Sequence, residues 1–139
     1  MKFLALLIHL LLLLAAAGCG TIPPLGTGTN TYTGDAAGKR EEIVGDRDLA
    51  AKFVLLDIKR EMRDQRLRVQ FDLKNTTSGD LPIEWAVVWK DASGFTIDSN
   101  PHWTPTIVTG GGLHSIQLVG PTPQAAVFQL QFRKPTPIR

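Results

Sequence analysis

Cysteine is nearly absent from this chain. One of the 139 residues is a cysteine, Cys19, so no disulfide can form within the chain. Many small secreted domains rely on such bridges, and this sequence must instead hold its fold by apolar packing. An excess of one charge is lacking as well, because 15 Lys and Arg face 13 Asp and Glu, for a formal net charge of +2. Without a strongly basic face, no nucleic acid is expected as a partner.

The longest apolar run stands at the N-terminus and is too short to cross a bilayer. It extends from Phe3 to Ala17, is interrupted only by His9, and follows the positive Lys2. As a helix, such a run spans about 22 Å, whereas the hydrocarbon core of a membrane is about 30 Å thick. Residues 1–18 are therefore predicted to be a signal peptide.

The residues before Cys19, Leu-Ala-Ala-Ala-Gly, resemble the lipobox of bacterial lipoproteins. In that family, small residues precede a cysteine that is alkylated with diacylglycerol before cleavage. The resemblance implies lipidation at Cys19 and attachment to the membrane through this lipid, because two or three acyl chains anchor a protein stably. Ala16 stands where the family usually has a larger aliphatic residue, so plain secretion with cleavage after Ala17 is the alternative. Gly20 after the cysteine, by resemblance to enterobacterial lipoproteins, favours an outer-membrane protein that faces the periplasm.

The next segment, residues 19–45, is rich in Gly, Thr, Pro and Ala and has no apolar periodicity. Segments of this composition bury too little apolar surface to fold. We therefore predict a lipidated cysteine followed by a flexible tether, with the folded domain confined to residues 46–139.

Residues 46–139 are predicted to form one all-β domain. Asp46 is a candidate cap for a short helical turn, with Leu49 and Phe53 facing inward. The clearest strand is 66–74, where apolar and polar residues alternate strictly. About seven short strands with regular turn signals favour an immunoglobulin-like antiparallel β-sandwich. The predicted strands are 53–58, 66–74, 81–90, 95–98, 106–108, 113–119 and 126–132.

The order of these segments is similar to that of the YcfL-like family of uncharacterised bacterial lipoproteins. The resemblance covers residues 44–132 and implies an immunoglobulin-like sandwich in the cell envelope. It carries no catalytic residues that could be transferred to this chain. The residues that carry it are Leu73–Thr77, Trp85–Trp89, Trp89–Gly94, Trp103 and Gly110–Gly112.

Residues suited to catalysis or metal binding are sparse. His102 and His114 are the histidines that follow the signal peptide, and neither has acidic or thiol partners at ligand spacing. Ser115 is next to His114, but neighbouring strand residues point to opposite faces. We therefore predict no metal, no cofactor and no enzymatic activity.

A basic segment and an aromatic loop are the candidate interaction surface. In the segment 59–68, a hairpin tip could meet anionic headgroups, lipopolysaccharide or an acidic partner. A solvated hairpin whose charges pair internally and protect a sheet edge is the alternative. In the loop 100–105, an aromatic side chain between two prolines is either an interface anchor or a plug for the end of the sandwich. The residues concerned are Arg60, Arg63, Arg66, Arg68, His102 and Trp103.

The sequence thus favours a non-enzymatic module that binds another envelope protein through a sheet edge or a loop. The alternative is a binder of cell-wall glycan or lipopolysaccharide that uses the basic hairpin and Trp103 together.

Overall fold

Two antiparallel sheets form the domain. The computed structural model describes residues 28–98 and 100–136. One sheet has five strands in the order β2-β1-β8-β5-β6, and the other has three in the order β3-β4-β7. The signal peptide and Cys19 lie outside the described residues. The elements are β1 Asn30–Asp35, β2 Arg40–Ile43, α1 Arg47–Ala50, β3 Phe53–Arg63, β4 Arg66–Asn75, β5 Leu81–Lys90, β6 Thr104–Val108, β7 Leu113–Val119 and β8 Val127–Arg133.

The core lies between the sheets and follows the alternation of the sequence. Every second residue of β4 from Leu67 to Leu73 is fully buried, and so are Phe128 and Leu130 of β8. The rings of Phe71 and Phe132 meet edge to face across the core, with centroids 6.3 Å apart. Such aromatic contacts stabilise the core beyond the contribution of the large apolar area that each ring buries. The predicted all-β sandwich is confirmed, with eight strands among the described residues.

The predicted tether is wrong over residues 30–43, which form the first two strands. β1 pairs with β2 on one side and with β8 on the other, and Tyr32 is buried with 3% exposure. Tyr32 is the one large apolar residue of β1, so the strand shows no apolar alternation. Main-chain pairing with β8 holds it in place. The domain therefore begins before Asp46, and the part of the predicted tether at residues 19–27 lies outside the described residues.

The predicted strand at 95–98 is also wrong, because a turn takes its place. The Asp91 carboxylate accepts the main-chain N–H groups of Ser93 and Phe95, each at 2.9 Å. Gly94 has a φ of +89°, a conformation that glycine adopts without strain. A single bridge between Lys90 and Thr96 is all that remains of strand pairing there.

The predicted helical cap is confirmed. Asp46 precedes α1 and accepts the N–H of Leu49 at 3.0 Å, while Leu49 is buried in the core. Lys134 Nζ lies 3.0 Å from Asp46 Oδ2. The hydrogen bond from Leu49 and the nearby ammonium of Lys134 lower the pKa of Asp46, although its burial opposes this shift.

The sandwich has two distinct ends. Asn30 pairs with Phe132, whose ring centroid is 5.1 Å from that of Phe53, so β1 and β3 begin at the same end. We call this the N-terminal end. β3 then continues to Arg63, and the turn into β4 lies at the opposite end, which we call the hairpin end.

Candidate functional site

The predicted basic segment does form a hairpin. β3 and β4 are paired as far as Arg63 and Arg66, and Asp64 and Gln65 make the two-residue turn between them. Both turn residues have positive φ, at 50° and 60°. Two-residue turns of this kind match the twist of the flanking strands. All residues from 61 to 66 are exposed.

Two of the four predicted arginines make contacts within the fold. Arg60 reaches between the sheets, where its Nη2 donates to the hydroxyl of Tyr32 at 3.0 Å. Its Cζ atom is 5.6 Å from the ring centroid of Phe128. Arg68 donates from Nη1 to Glu61 Oε1 at 2.7 Å across the hairpin.

The other two arginines lie at the tip of the hairpin. Arg63 and Arg66 face each other directly and are both exposed. The one ion pair of Arg63 among the described residues joins its Nε to Asp64 Oδ2 at 4.0 Å. Such exposed pairs contribute little to stability, so both guanidinium groups are available to a partner.

Trp103 lies on the outer face of the five-stranded sheet. The Cζ atom of Arg133 is 3.9 Å from the centroid of its ring, a cation–π contact. Arg133 also donates from Nε to Glu84 Oε2 at 2.7 Å, which holds the guanidinium beneath the ring. Trp103 therefore neither plugs the end of the sandwich nor projects freely from its loop. His102, next to it, is exposed.

The structure does not bring the predicted interaction surface together. Arg133 follows Phe132, so Trp103 lies near the N-terminal end and on the five-stranded sheet. Arg63 and Arg66 lie at the hairpin end and on the three-stranded sheet. One ligand of modest size cannot contact both groups.

Phe95 is a candidate that the sequence interpretation missed. Its side chain is 73% exposed, although the turn that carries it is tightly held. Asp91 donates its N–H to the carbonyl of Phe95 at 2.9 Å, in addition to the two bonds that its carboxylate accepts. The sequence signal that could have identified Phe95 is Asp91, which stands three residues before Gly94 and four before Phe95. It marks a turn that presents a ring to solvent.

Phe95 lies at the same end as the basic hairpin. The connection from β7 to β8 links the two, because Gly120 donates its N–H to Leu67 O at 2.8 Å and Ala126 donates to Lys90 O at 3.0 Å. Leu67 adjoins the tip of the hairpin, and Lys90 adjoins the Asp91 turn. We call the group formed by Phe95, Arg63 and Arg66 the hairpin-end surface.

A cleft of about 330 Å³ is lined mainly by residues of β1, β2 and β3. Arg40 and Glu42, which both line the cleft, form an ion pair, and the Arg40 Cζ lies 5.4 Å from the centroid of the Tyr32 ring. Exposed Ile43 and Val44 form an apolar side of the cleft. No residue of the predicted interaction surface lines it.

Groups suited to catalysis are not assembled in the part of the chain that is described. Within residues 28–98 and 100–136, no three His, Cys, Asp or Glu side chains are placed to hold a metal ion. Ser115 Oγ donates to Asp72 Oδ1 at 2.5 Å, a carboxylate on the neighbouring strand.

No helix within residues 28–98 and 100–136 is long and apolar enough to cross a membrane.

Fold and surface together define a small antiparallel β-sandwich that carries exposed loops at one end. A family model described as "Protein of unknown function (DUF1425)" matches residues 40–134, and the chain belongs to that family. The matched region includes β2, which agrees with a domain that begins before Asp46.

The solved structure of a DUF1425 family member from Shewanella sp. pv-4 has the same fold. It is 16% identical, has a TM-score of 0.54, and is matched over 62% of this chain and 81% of its own. The Campylobacter jejuni protein cj0090 is 14% identical with a TM-score of 0.49, over 58% of this chain and 85% of its own. No curated protein matches this chain.

Proposed function

We propose that this chain is a lipid-anchored protein of the bacterial envelope that binds another envelope protein and catalyses no reaction. The lipobox-like residues before Cys19 support the anchor, and so does the resemblance to YcfL-like lipoproteins. The exposed Phe95 on a rigid turn, at the same end as Arg63 and Arg66, is the observation that carries the binding proposal.

A fixed, exposed phenylalanine is a suitable anchor for a partner. Burying one such ring in a pocket contributes about 1.5–3 kcal/mol. Because the Asp91 turn already holds the main chain of Phe95, little loop entropy is lost on binding. Anchors of this kind at the centre of an interface supply much of the binding energy.

The two arginines define the chemistry of the partner. A pocket for Phe95 with acidic residues at its rim complements Arg63 and Arg66, which lie at the same end. Opposite charges at a rim mainly accelerate association and select the partner. We therefore propose a partner protein with an apolar pocket bordered by Asp or Glu.

If Cys19 carries the lipid, this surface is expected at the end of the domain that is farther from the membrane. The nine peptide links from Cys19 to Gly28 span at most about 30 Å. They enter the domain at the N-terminal end, whereas Phe95 lies at the hairpin end. The partner is thus expected on the periplasmic side of the protein.

In-cell photocrosslinking of the full-length protein tests the proposal. A photoreactive residue in place of Ser93, beside Phe95, is expected to capture one envelope protein. The same residue in place of Gly79, an exposed turn position near the N-terminal end, serves as the control and is expected not to capture it. Phe95→Ala should abolish the capture, whereas Ile107→Ala, a loss of another exposed apolar side chain on β6, should not.

Equal capture from both positions, or capture that Phe95→Ala leaves unchanged, would contradict the proposal. So would turnover of an envelope substrate that a single substitution abolishes.

Binding of wall glycan or lipopolysaccharide is the second candidate function. Since Trp103 lies near the other end, the exposed Arg63 and Arg66 would have to carry this binding alone. Salt-sensitive sedimentation with wall sacculi, lost in the double variant Arg63→Glu with Arg66→Glu but kept in Phe95→Ala, would favour it over the protein partner.

A further inference from the structure

Three of the four strands at the sheet edges are protected against pairing with another chain. β2 is only four residues long and carries three charged side chains. β3 is interrupted by a bulge between Leu56 and Lys59, where Asp57 has a φ of +49°. β6 contains Pro105, which has no N–H to donate. Short length, charge, bulges and proline are the devices that natural sheets use at their edges.

The fourth edge strand, β7, has none of these devices. Leu113–Val119 contains no charged residue and no proline. Its register with β4 is unbroken over seven residue pairs, from Leu113 to Val119. Among the described residues, no main-chain hydrogen bond reaches its outer side. A row of N–H and C=O groups is therefore open to another strand.

We propose that the open edge of β7 pairs with β7 of a second copy of this chain. The two strands run antiparallel about a two-fold axis at Ile116. Two copies then share one continuous sheet of six strands. A two-fold contact of this kind uses the same surface on both copies and closes on itself.

The sequence of β7 is self-complementary in this register. Leu113 lies opposite Val119 of the second copy, and these exposed apolar residues, at 60% and 49% exposure, cover each other. Ser115 lies opposite Gln117, a polar pair on the same outer face. Directly opposed side chains are the unit of stabilisation between antiparallel strands.

Other registers fit less well. A shift by one residue would place outward-facing residues of one copy opposite inward-facing residues of the other. A shift by two would place the apolar Leu113 opposite the polar Gln117, or Val119 opposite Ser115. β7 has no charged residue, so repulsion between like charges does not distinguish one register from another. The register centred at Ile116 is favoured because it places apolar residues opposite apolar ones and polar residues opposite polar ones.

The arrangement suits proteins held on one membrane. The contact of one strand edge is small compared with the interfaces of stable complexes. If Cys19 carries the anchor, both copies are held on the same membrane, and this confinement raises their effective concentration. The dimer uses other residues than the hairpin-end surface. The Asp91 turn follows β5 of the other sheet, and Arg63 and Arg66 lie beyond Arg68↔Val119, the last pair between β4 and β7.

Disulfide crosslinking in cells tests both the dimer and its register. Two full-length versions with different tags are produced together, one with Ser115→Cys and the other with Gln117→Cys. Directly opposed residues have Cα atoms about 4.5–5.5 Å apart, within the range of a disulfide. We expect a mixed dimer that contains both tags and far less crosslinking within either version alone. The unsubstituted chain, with Cys19 as its sole cysteine, is the control.

Charge substitution supplies an independent check. The double variant Ser115→Lys with Gln117→Lys places like charges opposite each other and should reduce chemical crosslinking of dimers about tenfold or more. Both side chains are exposed, and Ser115→Ala is the control, because it also removes the Ser115 hydrogen bond to Asp72 but adds no charge and should keep its dimers. Mixing the Lys variant with a Ser115→Glu, Gln117→Glu version should restore mixed dimers.

Failure of the mixed disulfide to form overturns the inference. So does a Lys variant that still forms dimers, or capture of a different protein at β7 in place of the second copy. A partner captured at Ser93 with no dimer at β7 would refute this inference and leave the proposed function intact.

Discussion

Asn75 is a single buried residue that joins two loops, the one after β4 and the one after β6. It is fully buried, and its amide nitrogen donates to the carbonyls of Gly79 and Val108 at 2.7 and 3.0 Å. Its side-chain oxygen accepts the N–H and the hydroxyl of Thr77, both at 2.8 Å. The Asn75-Thr76-Thr77 sequence matches a glycosylation sequon, but the amide of Asn75 is used inside the fold.

Asn75→Ala is therefore expected to lower the free energy of unfolding by about 2–4 kcal/mol, because several main-chain groups lose their partner away from water. Urea denaturation of the purified protein measures this loss. Thr76→Ala is the matched control, since Thr76 is exposed and makes one hydroxyl bond, to Ala51 O at 3.1 Å. A loss for Asn75→Ala no larger than that of the control would contradict the role of Asn75.

Asp46 gives the stability of the protein a dependence on pH. Its pKa is lowered in the folded state, first by the hydrogen bond from Leu49 and then by Lys134. The charged carboxylate therefore stabilises the fold above the ordinary carboxyl pKa. This contribution is lost as the pH falls through the lowered pKa.

Asp46→Asn keeps a capping oxygen but removes the charge. We expect the native protein to be the more stable of the two at pH 7, and the difference to shrink as the solution is acidified below about pH 4. Asp46→Ala should lose about 0.5–2 kcal/mol at neutral pH through the missing cap. Urea unfolding at several pH values measures both. A difference that stays constant with pH would show that the charge does not contribute.

The roles of individual arginines were not predictable from the sequence. Arg60 and Arg63 both belong to one basic segment, and nothing in its pattern separates them. Arg60 points inward and donates a hydrogen bond to the hydroxyl of Tyr32. Tyr32 lies on β1, a strand that the apolar pattern did not predict. Arg63 lies beyond the edge of the core and stays exposed.

At the scale of elements, strands with one buried face were predictable and strands held by pairing were not. β4 alternates apolar and polar residues, so its inward face could be identified from the sequence. β1 has little apolar content and is fixed by its neighbours β2 and β8. At 95–98, apolar and polar residues also alternate, but the Asp91 side chain folds the segment into a turn.

Gly34 shows how closely β1 packs. A Cβ atom at this position would lie 2.5 Å from Cζ of the buried Phe128 ring. Gly34→Ala is therefore expected to destabilise the protein by about 1–3 kcal/mol, because the ring must move in a filled core. Thermal or urea unfolding measures the change. Gly79→Ala is the control, since a Cβ there meets no atom within 4 Å. Equal stability of the two variants would mean that β1 does not pack as described.

Removal of the first two strands is a stronger test of the domain boundary. A chain that begins at Gly28 retains all described strands, whereas one that begins at Asp46 lacks β1 and β2. In the shorter chain, the edge of β8 that pairs with β1 is exposed, and the buried side chain of Tyr32 is missing from the core. We expect it to lose at least about 2 kcal/mol of stability or to fail to unfold cooperatively. Identical unfolding curves would restore the tether interpretation for residues 30–45.

At the scale of the whole molecule, the proposed lipid anchor at Cys19 is expected to determine where the domain works. Full-length protein is expected in the membrane fraction of cells, and a Cys19→Ser version in the soluble fraction of the periplasm. The reason is that two or three acyl chains bind a bilayer stably. Fractionation followed by immunoblotting, with labelled fatty acid to follow lipid attachment, measures both. A Cys19→Ser protein that still sediments with membranes would show that another feature attaches it.

The position of β1 within its sheet also bears on mechanical load. If the protein connects a membrane to a partner at the hairpin end, any pull enters through the residue before Asn30, along the axis of β1. β1 is bonded on both sides, to β2 and to β8. A pull in this direction strains all of those hydrogen bonds together instead of opening them one after another. With these two proposed attachment points, the fold would resist extension between them.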